Sequence, residues 1–251
     1  MESSDYIFGL RAVMEAIEAG KEIDKIFVKK DMHGDLAAEF FDMARANDIL
    51  IQRVPVEKLN KITRKNHQGV IAILSAVTYH RLDHIVPQLY EDGMLPFIVI
   101  LDGITDVRNF GAIARTCECA GVDAIVIPQR GSVSVGGDAV KTSAGALLHL
   151  PVCRERSVTG ALHFLKDNGY RIVAASEKAD INYTKADYTV PVAIVMGAED
   201  TGISPEALKL CDTFVSIPQF GNISSLNVSV AAGVIMYEVV RQRLEADMEV
   251  I

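Results

Sequence analysis

The chain has 251 residues, 49% of them hydrophobic, which suits one or two domains built round a sizeable core. It contains no run of apolar residues long enough for a membrane-spanning helix. Its formal net charge of −8 argues against a uniformly basic nucleic-acid binder and shifts attention to local charge.

The first 77 residues alternate helix and strand patterns. Gly9–Ala19 has the helical spacing of Leu10, Val13 and Ile17, with Gly20 as a stop. Lys25–Val28 reads as a strand, Leu36–Asn47 as a second helix, Ile49–Ile51 as a strand and Val56–Ile62 as a short helix. Gly69–Ala76 is a continuous apolar strand. Between Gln52 and Val70 lie Arg53, Lys58, Lys61, Arg64 and Lys65 against one acid, Glu57, a basic patch that can face RNA or simply be solvated. The pattern lapses across residues 78–94, which carry turn and polar residues around Pro87 and Gly93 and one short amphipathic piece around Ile85–Tyr90, so a linker is expected there.

Residues 95–251 return to regular alternation. Strands are predicted at Phe97–Leu101, Ala124–Ile127, Arg171–Ala175, Val192–Met196 and Thr213–Ile217. Helices are predicted at Phe110–Ala120, Ala139–Leu148 and Ser157–Asn168, from Ser204-Pro205, and from Leu226 to Val240. Ser224 or Ser225 is expected to cap the last of these, and the tail after Arg243 to fray. Buried strands separated by helices imply an α/β fold, a mostly parallel sheet covered on both faces. Ligands in such sheets bind beyond the carboxyl ends of the strands.

Three strand exits collect polar residues in that position. The first runs from Asp102 through Asn109 to Arg115, the second from Met196-Gly197 to Glu199 and Gly202, and the third from Ile217-Pro218 to Ser225-Leu226-Asn227-Val228-Ser229. Glycines at an exit let a ligand approach the backbone. Asn227 and Ser229 sit among core-type residues, where an amide needs a hydrogen-bond partner. Neither a dinucleotide fingerprint nor a phosphate-binding loop is present. Cys117, Cys119, Cys153 and Cys211 form no CxxC pair, so reduced thiols are expected and no metal site. The opening residues lack the basic and apolar regions of a signal peptide, so a cytoplasmic location is expected. The residues alone lead to a small-molecule or nucleotide site.

At these three segments the sequence resembles the SpoU family of RNA 2′-O-ribose methyltransferases, in the SPOUT superfamily. The motifs are Asn109-Phe-Gly-Ala-Ile-Ala-Arg115, Met196-Gly197-Ala-Glu199-Asp-Thr-Gly202, and Ile217-Pro218 with Ser225-Leu226-Asn227-Val228-Ser229. Asn66-His67-Gln68-Gly69-Val70 further resembles the end of the ribosomal-protein-like RNA-binding domain of the 23S rRNA guanosine-2′-O-methyltransferase subgroup. The resemblance implies S-adenosylmethionine as cofactor, a C-terminal trefoil knot, 23S rRNA as the RNA partner, and a homodimer with the site near its interface. It implies that Met196, Gly197, Ile217, Ser225 and Leu226 hold the cofactor. Asn109, Arg115, Glu199, Ser225 and Asn227 fall on catalytic and substrate positions. Arg115 stands where the family places a hydroxyl activator, but a guanidinium holds its proton to above pH ~12, so orientation or electrostatic activation is the expected role. Val107 replaces a proline common in relatives, and Gln219-Phe220 replaces a smaller or more apolar pair. Rival readings are a tRNA 2′-O-methyltransferase, a non-catalytic RNA-binding assembly factor, and a nucleotide-binding metabolic enzyme of Rossmann type.

Overall fold

A computed structural model describes residues 6–223 and 225–249. The chain forms two compact units: one of the residues up to Thr78 with Ser134–Gly137, the other of Tyr79–Val133 with Asp138 onward.

The first unit holds a four-stranded sheet of β1 (Tyr6–Phe8), β2 (Ile23–Lys29), β3 (Ile51–Val54) and β4 (Val70–Leu74), in the order β1-β4-β2-β3. Only the β2–β3 pair is parallel. Strand residues alternate between faces. Ile26, Val28, Val70 and Ala72 therefore pack with Val13 and Ile17 of α1 (Leu10–Glu18) and with Phe40 and Ala44 of α2 (Asp35–Ala46). Phe27, Val54, Ile71 and Ile73 pack on the other face with Leu59 and Ile62 of α3 (Val56–Ile62). Each fully buried Leu, Ile or Phe contributes about 1.5–3 kcal/mol. The motif at residues 66–70 is a hydrogen-bonded turn. His67 is buried; its Nδ1 accepts from Gly69 N at 3.0 Å and its Nε2 meets Asn60 Oδ1 at 2.9 Å. Gln68, at φ 52°, turns its side-chain oxygen to accept from Leu10 N at 3.2 Å at the start of α1.

The second unit is built on an eight-stranded sheet, every pair of it parallel. Its elements are β5 (Tyr79–His80), α4 (Leu82–Glu91), β6 (Phe97–Asp102), α5 (Val107–Cys119), β7 (Ala124–Pro128), α6 (Gly137–Thr142), β8 (Val152–Glu155), α7 (Val158–Asp167), β9 (Arg171–Ala175), β10 (Ile181–Asn182), β11 (Val192–Gly197), α8 (Pro205–Leu208), β12 (Thr213–Ser216) and α9 (Val228–Glu249). Strand order is β10-β12-β9-β11-β6-β7-β8-β5. One face carries α4, α7 and α8, with Leu82, Val86, Leu162, Leu165 and Ala207 packed on Ile98, Ile100, Val126, Ile172 and Val195. The alternate strand residues turn to the other face, where α5 and α9 pair through Cys117 and Met236, whose sulfurs lie 3.5 Å apart. The chain runs outward from β6 through β7 to β8, then returns to the opposite side through β9, β11 and β12. The switch point is therefore the β6–β11 pair, whose strands end in register at Asp102 and Gly197.

Several expectations need correction. Residues 78–94 are no linker: β5 pairs with β8, and Leu82 and Val86, four apart, bury one face of α4 while its other side is polar. Pro87 inside it and turn residues on either side made the stretch read as a linker with only a short amphipathic piece at Ile85–Tyr90. The helix expected at Ala139–Leu148 breaks because Ala144 and Gly145 adopt φ 52° and 88°; α6 ends at Thr142 and a 3₁₀ turn spans Ala146–Leu148. The third strand starts at Ile51 rather than Ile49, although Leu50 O already accepts from Ile26 N at 2.8 Å. Ser204 makes no side-chain cap on α8, though Pro205 does stand in its first turn. Phe214, expected in a buried strand, is 37% exposed. The C-terminal tail continues the helix to Glu249. Arg243 holds it there, donating to Leu95 O, Pro96 O, Tyr188 O and Val190 O with its guanidinium over the Phe97 ring. The strands β1, β5, β8 and β10 were not expected; each is too short or too polar to show alternation.

Candidate active site

The exits of β6 and β11 are tied to each other through one backbone-directed carboxylate. Asp102 Oδ2 accepts from Ser204 N at 2.8 Å, holding the loop after β11 against the end of β6. Asp106 caps α5 by accepting from the backbone N–H of Arg108 and of Asn109, both at 2.9 Å. A cap of this kind is worth about 1 kcal/mol, and here it also fixes where Asn109 leaves the helix.

After Gly197 the chain makes a tight turn closed by Gly202 N donating to Ala198 O at 2.9 Å. The turn folds back on Gly197 so closely that a Cβ there would lie 2.2 Å from Gly202 C and Ile203 N. Only glycine allows the approach. The turn presents Glu199 at its tip.

The third exit supplies the organising side chain. Asn227 Nδ2 donates to Asn109 Oδ1 at 3.0 Å and to Glu199 Oε1 at 2.6 Å. Its Oδ1 accepts from Ser229 N at 3.0 Å and from the Ser229 hydroxyl. Glu199 Oε1 also accepts from Val228 N at 3.2 Å. Asn227 is thus the side chain that caps α9, and Glu199 places a negative charge at that helix's positive end. The cap expected from Ser225 is not made: Ser225 is exposed and lies outside the helix, while Ser224 lies outside the described residues. Polar groups of residues far apart in sequence are joined through one amide.

Beside this cluster a cleft of about 510 Å³ opens beyond the ends of β9, β11 and β12. That falls within the ~300–1,000 Å³ of small-ligand sites. Met196, Gly197, Ile217, Ser225 and Leu226 all line it, as do Glu199 and Asn227. The backbone carbonyl of Ile217 accepts from Gln219 Nε2 at 3.1 Å, which leaves its second lone pair for a ligand. The wall combines apolar side chains with loop backbone and carboxylate, a set suited to a neutral aromatic base with a polar, partly cationic tail.

The expected residues do not all meet. Asn109 joins the cluster without lining the cleft. Arg115 is exposed on α5 and does not line the cleft. Six residues beyond Asn109, it lies roughly 120° away round the helix and ~9 Å along it. The basic patch of the first unit also divides. Arg53 lies over Phe41, 4.8 Å from the ring centroid, on the α2 side, and donates to Lys30 O. Lys58 lies over Phe27 at 4.7 Å and Lys65 over Phe8 at 5.8 Å, on the α3 side. Lys61 and Arg64 are exposed.

Sequence reasoning missed the exit of β9, whose Glu177 and Lys178 line the cleft, because no glycine or amide marks it. It named Asp102 only as an ordinary loop acid and gave no role to Asp106; both act through backbone N–H groups. Burial pushes the Cys153 thiol up to about 12 and the half-buried Cys211 up to about 11, and Cys117 higher still, so none of the three offers a reactive thiolate. Among the described residues no cluster of three or more His, Cys, Asp or Glu side chains is placed to hold a metal ion, and no helix is long and apolar enough to cross a membrane.

The model of the SpoU rRNA methylase family matches residues 96–237, and that of the RNA 2′-O ribose methyltransferase substrate-binding domain matches residues 6–80. A putative TrmH family tRNA/rRNA methyltransferase of Staphylococcus saprophyticus is 38% identical over 237 residues, covering 94% of this chain and 95% of that protein. A similarly described protein of Bacillus subtilis, YacO, is 34% identical over 242 residues, covering 96% and 97%. Among solved structures, the SpoU methyltransferase AviRb of Streptomyces viridochromogenes in complex with AdoMet aligns with TM-score 0.61 at 25% identity, covering 96% of this chain and 90% of that one. An AdoMet-bound rRNA methyltransferase of Sinorhizobium meliloti aligns with TM-score 0.60 at 26% identity, covering 94% and 87%. An A. aeolicus TrmH/SpoU tRNA modifying enzyme aligns with TM-score 0.56 at 31% identity, but over 66% of this chain and 86% of that one.

Proposed function

The chain belongs to the SpoU family of RNA 2′-O-ribose methyltransferases, with S-adenosylmethionine as methyl donor, and on that premise we propose that its substrate is a ribose, of guanosine, in 23S rRNA. The observation that carries this reading is the front unit. It matches the substrate-binding model over residues 6–80, and the structure described as an rRNA methyltransferase spans both units whereas the tRNA-modifying one spans about two thirds of the chain. The compartment that goes with this substrate is the cytoplasm.

The donor supplies an electrophilic methyl group on a sulfonium. The cleft residues fit it: Gly197 lets the backbone close in, while Met196, Ile217 and Leu226 offer an apolar wall. The carboxylate of Glu199 faces the same space. Asn227 holds Asn109 and Glu199 in fixed positions, so their remaining polar atoms are preset for the ribose rather than free to rotate. Such positioning of a hydroxyl in line with its electrophile can contribute several kcal/mol, with ~7–11 as the upper range. Ser225 is assigned a bond to the substrate or the donor, a role supported by its position on the cleft wall.

Arg115 is assigned to the ribose as an orienting and electrostatic group, reaching it across a homodimer interface. What supports this is an apolar stripe on α9. Val230, Tyr237 and Leu244, seven residues apart, and Met248 are all more than half exposed, and α5, which carries Arg115, packs on the same helix. The family fold further implies that the loops around α9 thread as a trefoil knot. Mixing inactive Arg115→Ala and Asn109→Ala chains tests the shared site: recovery of activity supports it, and an inactive mixture of exchanged dimers removes it. Mapping the methylated nucleotide tests the substrate, since methylation of tRNA alone would move the target.

A further inference from the structure

The same loop that walls the cleft carries an aromatic ring that nothing among the described residues covers. Gln219 and Ser225 both line the cleft, and between them Phe220 is 98% exposed and Ile223 77% exposed. Neighbouring Cα atoms are ~3.8 Å apart, so Phe220 sits one residue from the cleft rim, bare and not itself part of the lining. Among the described residues the charged groups lining that cleft are Glu177, Glu199 and Asp200 against Lys178. Three carboxylates against one lysine give this rim no electrostatic hold on a phosphate backbone. What the rim does offer is a bare, neutral π-face.

We propose that Phe220 stacks on a base of the substrate RNA next to the ribose being methylated, so that the loop of residues 219–223 reads an unpaired base while the cleft holds the methyl donor. The proposal rests on the RNA methyltransferase reading. Every base has a π-face, and stacking on an aromatic side chain is tolerant of sequence and independent of charge. It therefore suits an acidic rim. It also explains an apolar residue at the most exposed point of a loop whose neighbours build the site.

The chain contains no tryptophan, so Phe220→Trp makes a single-tryptophan reporter. Titration with unmodified 23S rRNA transcript is expected to quench its emission by at least half, with no change on adding S-adenosylhomocysteine alone. Phe220→Ala is expected to raise KM for RNA about tenfold, with kcat and calorimetric S-adenosylmethionine affinity within twofold of wild type; Phe220→Tyr should restore KM. Unchanged tryptophan emission while a labelled transcript is still bound overturns the proposal. So does blue-shifted, concentration-dependent emission before RNA is added, which would mean that a second copy of the chain covers the ring. Failure of the wild-type chain to bind any RNA needs no variant to detect and would fall on the underlying reading instead.

Discussion

Asn227 does two jobs with opposite ends of one amide, and two substitutions separate them. Its oxygen caps α9 through Ser229, and its nitrogen joins Asn109 to Glu199. Asn227→Asp keeps the acceptor and removes both donors. It also sets a second carboxylate against Glu199, where the present separation is 2.6 Å. At that separation two unit charges repel by about 1.6 kcal/mol in bulk water and about 6 kcal/mol at an effective dielectric constant near 20. Both side chains are exposed, so the lower end governs, and ~2 kcal/mol is expected. Lost from positioning alone, that is about a thirtyfold fall in kcat/KM. Helix stability should hold, because an anion at a helix N-terminus is favourable by ~0.3–1 kcal/mol. Asn227→Ala loses the cap as well, ~1 kcal/mol, or about 2–4 °C in Tm for a chain of this size. The assay is methyl transfer to RNA paired with calorimetric melting. Retention of activity within threefold of wild type in Asn227→Asp, or a Tm loss equal to that of Asn227→Ala, would refute the division of labour.

Gly197→Ala forces a methyl group against the backbone of Gly202 and Ile203; an overpacking cost of about 1–3 kcal/mol is expected, seen as lower Tm and at least tenfold weaker S-adenosylmethionine binding by calorimetry. Joint replacement of Lys58, Lys61 and Lys65 by alanine should lower the salt slope of RNA binding by about 0.7–0.9 for each phosphate no longer neutralised, with Arg53→Ala having the smaller effect because its guanidinium is engaged over Phe41 and on Lys30 O. Bonds from the Thr189 hydroxyl and backbone N–H, then from Arg171, depress the Asp187 carboxyl to about 2. A depressed carboxyl stabilises the fold fully above its unfolded value, ~4, and loses that contribution as pH falls through about 2. Asp187→Asn should therefore flatten the acid limb of Tm against pH in that window, and an unchanged limb would show that the bonds are not formed in solution.

The sheet was legible because its strands are buried on both faces: Phe97–Leu101 and Val192–Met196 read as continuous apolar runs. The site was legible because small polar residues collect at three strand exits; Asn227 finds its partners there although it is exposed rather than set in the core. What stayed hidden depends on tertiary pairing. The polar side of α4 masked Leu82 and Val86, and β8 carries Arg154 and Glu155 in a strand too short to alternate. The helix end at Arg243 could not be read either, since its stabilising carbonyls belong to residues 95, 96, 188 and 190. Arg115 and Asn109 looked like one site from their shared motif, yet helical geometry sets them on different faces of α5. Likewise a run of cations close in sequence was divided by the alternation of a strand, which turned Arg53 away from Val54 and from the α3 side.

The most direct test incubates the chain with tritiated S-adenosylmethionine and unmodified 23S rRNA transcript, with tRNA transcript in parallel, and maps the label. Label on the 2′-oxygen of one 23S ribose, abolished by Asn109→Ala with S-adenosylmethionine still bound, is the predicted result. Label on tRNA alone, or label that survives Asn109→Ala, would contradict the account.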